Sequence, residues 1–266
     1  MGPSEYYQAG QLREAISAAI NEVKASPTDT AKRFQLCELC CFAGDWERAD
    51  RQLDTIMQQT TDAVMQITLV RQLIRAELAR TEFLLQGRLP EFVADVTPHL
   101  RLHLDASIAI REGNAAEAAK LLEQAEQQRT QLTGTLNGKS FDDFRDLDDL
   151  ISPFFEVFTS NGKYFLLPIE QVESITFRPP KRPMDLIWRS ITVSVANGPD
   201  GEVYMPAIYP QTHVSGDNQL MLGRGTDWTD GDASPVRGIG LRMFLAGDQD
   251  VSVMNCQEIH FDRPSN

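Results

Sequence analysis

Glu156-Val157-Phe158-Thr159-Ser160-Asn161-Gly162-Lys163-Tyr164-Phe165-Leu166-Leu167 is the stretch on which the fold reading turns. Two apolar runs flank Asn-Gly, a dipeptide whose residues tolerate the positive φ angles of a tight hairpin turn. The arrangement recurs twice downstream. Residues 191–195 and 202–205 flank a turn holding Asn197-Gly198 and Asp200-Gly201, and residues 242–245 and 251–254 flank Gly247-Asp248. Residues 256–261 read as a closing strand. Successive hairpins pair antiparallel, so residues 153–266 are expected to form a small antiparallel β barrel or sandwich.

Upstream the period is helical. Gly10-Gln11-Leu12-Arg13-Glu14-Ala15 is echoed 34 residues later by Gly44-Asp45-Trp46-Glu47-Arg48-Ala49, the tetratricopeptide (TPR) period. In this pattern glycine ends one helix, a large residue two positions on anchors the next, and a small alanine lets the paired helix approach. Trp46 takes that structural anchor position. A third echo, Glu112-Gly113-Asn114-Ala115-Ala116-Glu117-Ala118, opens a helix, whereas residues 63–86 are helical without a copy. The expected architecture is α+β in two domains. Residues 1–135 form a TPR-like α-α superhelix, residues 136–152 an acidic linker, and residues 153–266 the β domain. Stacked α-hairpins of this kind present a concave face to peptides or helices.

The 266 residues suffice for two cores, and 42% hydrophobic with 24% charged residues is a globular composition. Net charge is −13 and unevenly spread. Residues 1–140 hold 15 Lys/Arg against 19 Asp/Glu, and residues 141–266 hold 10 against 19, balances of −4 and −9. Such a field repels nucleic acid and anionic lipid, so neither nucleic acid nor direct membrane binding is expected, and it attracts a basic protein surface. The N-terminus lacks a basic, then apolar, secretory signal, and no apolar run reaches a spanning length, so the expected location is cytoplasmic. Cys37, Cys40 and Cys41 crowd one helical stretch where mutual bridging would be strained, and with Cys256 they read as reduced, packed thiols.

Familiar catalytic signatures are missing: no Walker A loop, no Gly-x-Ser-x-Gly elbow, no His-Glu-x-x-His. Gly223-Arg224-Gly225 lacks the rest of a dinucleotide fingerprint. The cysteines do not assemble four zinc ligands, His99 and His103 lack a third, and Asp227, Asp230 and Asp232 fit a calcium loop poorly. No cofactor or metal is therefore expected, and no enzymatic activity. The acidic run Asp142, Asp143, Asp146, Asp148 and Asp149 has three readings. Its carboxylates accept backbone N–H bonds at a cap, or pair with arginines such as Arg189, Arg224 or Arg242, or hold a cation for hydrolysis. Trp188 and Trp228 read as packing residues first and binding anchors second.

Four strings stand in fixed order: Phe144-Arg145-Asp146-Leu147-Asp148-Asp149, Asp185-Leu186-Ile187-Trp188-Arg189, Pro206-Ala207-Ile208-Tyr209-Pro210, and Leu222-Gly223-Arg224-Gly225-Thr226-Asp227-Trp228. With a helical-repeat half in front, this order resembles the ImpE family, also called TagJ or SciE, accessory factors of bacterial type VI secretion. The resemblance implies a non-enzymatic adaptor that engages the small subunit of the contractile sheath by helix-in-groove recognition and, in some systems, the ClpV-type AAA+ unfoldase. Its motif positions give the candidate binding residues: Asp146, Asp148, Asp149, Asp185, Trp188, Arg189, Tyr209, Arg224, Asp227 and Trp228. The alternative is a general TPR-like peptide-binding scaffold or regulator outside secretion.

Overall fold

The computed structural model describes residues 1–60, 63–229, 231 and 234–262. The first half is helical: α1 (Pro3–Gln8), α2 (Leu12–Ala25), α3 (Thr30–Phe42), α4 (Trp46–Gln59), α5 (Val64–Gln86), α6 (Pro98–Arg111) and α7 (Ala115–Gln128). Helices α1 to α5 pack each on the next, and α6 pairs with α7. The three echoed glycines, Gly10, Gly44 and Gly113, all take positive φ, between 69° and 76°. Each precedes a residue whose N–H reaches five positions back, as in Gln11 to Tyr6, Asp45 to Cys40 and Asn114 to Ala109. That bond closes the preceding helix through a left-handed residue, a conformation that favours glycine. The three echoed alanines, Ala15, Ala49 and Ala118, are fully buried between helices. Asp45 and Asn114 then cap α4 and α7 through their side chains, accepting from Arg48 N and Glu117 N.

The second half contains β1 (Gly134–Leu136), β2 (Lys139–Phe141), β3 (Phe144–Asp146), β4 (Phe154–Phe158), β5 (Tyr164–Pro168), β6 (Val172–Phe177), β7 (Trp188–Val195) and β8 (Gly201–Pro206). A short helix α8 (Asn218–Met221) precedes β9 (Thr226–Trp228), β10 (Gly238–Gly240), β11 (Met243–Ala246), β12 (Gln249–Ser252) and β13 (Glu258–Phe261). Eight strands form one antiparallel sheet in the order β2-β1-β13-β6-β7-β8-β4-β5, a second sheet runs β12-β11-β3, and β9 pairs with β10. All three expected hairpins form, with Gly162, Asn197 and Gly247 at positive φ in their turns.

The large sheet stays open, ending at β2 and β5, so the barrel expectation is corrected. The chain instead lays β12-β11-β3 over one face. Phe144 and Phe244 meet Phe155 at ring distances of 5.8 and 5.7 Å, around a core that includes Ile175, Ile191 and Ile259. The last strand, β13, lies inside the sheet between β1 and β6. Residues 136–152 supply β2, β3 and a 3-10 turn, Asp149–Ile151. The opposite face of the sheet packs on the helices: Phe154, Phe158, Tyr164 and Trp188 share one continuous core with Leu39, Leu53 and Phe83. Among the described residues no helix is long and apolar enough to cross a membrane.

Candidate interaction site at the junction of helices and sheet

Helix α5 is apolar along the side facing the sheet, yet Glu77 and Arg80 lie on that side and are buried. They start a ladder of charges through the molecule. Arg80 donates from Nε and Nη2 to the two carboxylate oxygens of Glu156 on β4, at 2.8 and 2.5 Å, and from Nη1 to Glu77 at 2.9 Å. The same Glu156 Oε2 that accepts from Arg80 Nη2 also accepts from Arg242 Nη2, and Arg242 Nη1 donates to Asp146 on β3 at 2.7 Å. Tyr164 donates to Glu156 at 2.7 Å, Tyr209 to Asp146 at 2.8 Å, and Trp188 Nε1 to Glu77 at 3.0 Å. Each ion is fully desolvated, which is tolerable only because its hydrogen-bonding capacity is so fully met.

The two central carboxyls differ in character. Burial pushes both upward. At Glu156 the guanidiniums of Arg80 and Arg242 more than offset it and bring the group down to about 2. At Asp146 burial wins over Arg242, with Asp148 adding repulsion, and the group rises to about 7. Asp148 is held by Arg237 Nε at 2.8 Å and by the N–H groups of Leu150 and Gly238, and Asp149 accepts from Val236 N at 2.8 Å. The acidic run thus combines arginine pairing with backbone capping. Among the described residues no group of three or more His, Cys, Asp or Glu could hold a metal. Asp230 and Asp232 of the weighed calcium loop lie outside the described residues.

The remaining motif residues separate into buried and strap positions. Arg189 donates to Arg178 O and Val253 O and lies over the Phe177 ring, away from the aspartates. Trp188 opens β7, stacked on Trp46 at 6.0 Å, and Trp228 lies on β9, packed on Tyr209 at 5.9 Å. Asp185 accepts from Lys181 N and Arg182 N and shapes a local turn. Asp227 is exposed and accepts from Trp228 N. Arg224 reaches back to the first helix: it donates to Gln8 O at 3.0 Å and Tyr7 O at 2.6 Å, over the Tyr7 ring. Gln219 Nε2 meets Gly10 O at 3.4 Å, Arg13 meets Gly216 O at 3.3 Å, and the His213 ring sits against Gly44. Residues 209–228 therefore form a strap across the ends of the first helices.

Beside the strap lies an apolar groove of about 420 Å3. Leu84, Leu85 and Ile110 line it from the helices, and Pro210, Val214 and Ile239 from the β half. Leu85 is 58% and Val214 71% exposed, a considerable apolar surface for one cleft. Sequence reasoning named neither the groove nor Glu77, Arg80 and Glu156 as a linked set. A signal was available: two charges three apart on the apolar face of α5, and one glutamate inside Phe154-Phe155-Glu156-Val157-Phe158.

Residues 138–260 match the family model described as ImpE protein. Over 264 residues, 97% of this chain and 90% of the relative, the sequence is 29% identical to the type VI secretion system accessory component TagJ of Pseudomonas aeruginosa. The crystal structure of protein VPA1032 from Vibrio parahaemolyticus has a TM-score of 0.92 and 26% identity, covering 98% of each chain. The family match contains Asp146, Asp148, Glu156, Arg237 and Arg242, so the β half of the charge ladder lies within the matched span. The same helix-then-sheet arrangement extends over the full length of the crystallised protein. Residues 138–260 thus match the ImpE model, and nearly the whole chain is similar to the accessory component TagJ.

Proposed function

We propose that the protein is a non-enzymatic type VI secretion accessory factor, an adaptor that holds an amphipathic helix of the contractile sheath's small subunit in the groove between α5, α6 and the strap. The observation that carries this reading is the groove itself: an open apolar cleft, walled by both halves of the molecule, with Leu85 and Val214 offered to solvent. A helix laying one apolar face into such a cleft covers these side chains, and its polar face stays in water. In this reading the helix pairs closed by Gly10, Gly44 and Gly113 are degenerate TPR-like repeats. Residues 1–135, 136–152 and 153–266 serve as repeat domain, acidic connection and β domain. The protein works in the cytoplasm, where the ClpV-type unfoldase is a second partner. The name of the Pseudomonas relative supports the secretion role.

The test is binding of a peptide spanning the helix of the sheath small subunit to the full chain, measured by calorimetry. Leu85→Asp and Val214→Asp put a charge into the cleft at exposed positions, so they should weaken binding at least tenfold and leave thermal unfolding unchanged. Wild-type protein that fails to bind sheath subunit or peptide, or variants that bind as well as wild type, would remove the reading.

A further inference from the structure

We propose a second, separate docking pocket on the outer face of the small sheet, one that takes an arginine or lysine side chain from a segment of a protein partner. The inference goes beyond the groove and shares none of its lining residues. The pocket is a cavity of about 590 Å3 among β3, β9, β11 and β12. Strand register explains its chemistry. Leu245 on β11 is paired with Arg145 on one side and Asp250 on the other, so these three side chains stand in one row on the same face. Met243 follows in the next row, with the Leu147 N–H bonded to its carbonyl. Leu147 and Met243 give the cavity an apolar floor, and Trp228 forms an aromatic wall.

Charge selects the occupant. Two carboxylates, Asp149 and Asp250, line the cavity against one guanidinium, Arg145. Asp149 uses Oδ2 to accept from Val236 N, and its Oδ1 lies 3.8 Å from Arg145, beyond hydrogen-bonding distance. The Asp250 carboxylate is exposed and has no hydrogen bond or ion pair among the described residues. Trp228 packs on Tyr209, and its indole N–H has no hydrogen-bond partner among the described residues. An aromatic wall, an apolar floor and an excess carboxylate suit a long aliphatic stem ending in a cation. The unpartnered indole N–H is available to a backbone carbonyl of the same segment, which a free amine would not supply.

The experiment follows the indole N–H resonance of Trp228, identified by its loss in Trp228→Phe, while the full-length protein is titrated. N-acetyl-argininamide should shift this resonance with millimolar affinity, and uncharged N-acetyl-norleucinamide should not. Asp250→Asn should weaken the arginine probe by about three- to fivefold, the scale of one exposed ion pair, and Arg145→Gln should tighten it by a similar factor. A peptide with arginine between two leucines should bind more tightly than the amide. A motionless Trp228 signal overturns the proposal, as does an equal response to norleucine or unchanged affinity in both variants. A peptide no tighter than the amide overturns the assignment to a protein partner.

Discussion

Arg80 of α5 and Glu156 of β4 are joined by two parallel hydrogen bonds, and both side chains are almost wholly out of solvent. This one pair links the helical half to the sheet, and Arg242 continues the linkage from Glu156 to Asp146 in the second sheet. Removing one member strands the others. Arg80→Ala leaves Glu77 and Glu156 buried with less compensation, and the expected loss is about 3–5 kcal/mol in chemical denaturation. Arg80→Met with Glu156→Leu removes the central pair together, so it should recover part of that loss, with Glu77 keeping the Trp188 indole and Arg242 keeping Asp146. A single variant as stable as wild type would mean that water or a neighbour replaces the guanidinium.

The unequal carboxyls make a pH prediction. Asp146 carries a proton up to about pH 7 in the folded protein, against an ordinary 3.8, so the folded state binds more protons than the unfolded one between these values. Its contribution is complete below about 3.8 and is lost as pH rises through about 7. Glu156 runs the other way: held down at about 2, it contributes above its ordinary 4.5 and is lost in acid. Asp146→Asn should therefore flatten the decline in stability between pH 4 and 7 while leaving the acid limb intact. Denaturation midpoints across that range for both proteins provide the check.

The echoed glycines should not be equally sensitive. A Cβ at Gly44 would stand 2.6 Å from Cγ of His213, whereas at Gly113 nothing lies within 4 Å, although both residues have positive φ. Gly113→Ala should cost about 1 kcal/mol, the left-handed backbone penalty alone. Gly44→Ala should cost clearly more, because the strap must also move. Thermal or urea unfolding of the two variants decides it.

All four thiols are buried, and burial pushes Cys40 and Cys256 up to about 12. Thiolate is the reactive form, so a disulfide reagent at pH 8 should modify the native protein very slowly. The same reagent should label four thiols rapidly in denaturant. Fast native labelling of even one would show local opening of α3 or of the region before β13.

Much of the fold was readable because it depends on local rules. The Gly10, Gly44 and Gly113 echoes mark helix ends, and Asn161-Gly162 marks a hairpin, through backbone preferences that each short string states by itself. Sheet closure is not a local property, and the hairpins around Asn161 and Asn197 suit an open sheet as well as a barrel. The acidic run was readable as arginine-paired or capping, and both occur; Asp143 pairs with Arg129 14 residues away, but the partners of Asp148 and Asp146, Arg237 and Arg242, lie 89 and 96 residues away. Trp188 and Tyr209 stood out by their strings, yet nothing local to them specifies that the first meets Glu77 and the second Asp146. The groove was hidden for the same reason: Leu85 and Val214 face one cleft only after the strap has been laid down.

The strap also sets an order of events at the ribosome. The side chain that secures the carbonyls of Tyr7 and Gln8, Arg224, is made 217 and 216 positions after them. At translation speeds of about 5–20 residues per second, the opening helix waits on the order of 10–40 s for its fastening. During that interval α1 lacks its clasp, and a chain interrupted before Arg224 would never acquire it.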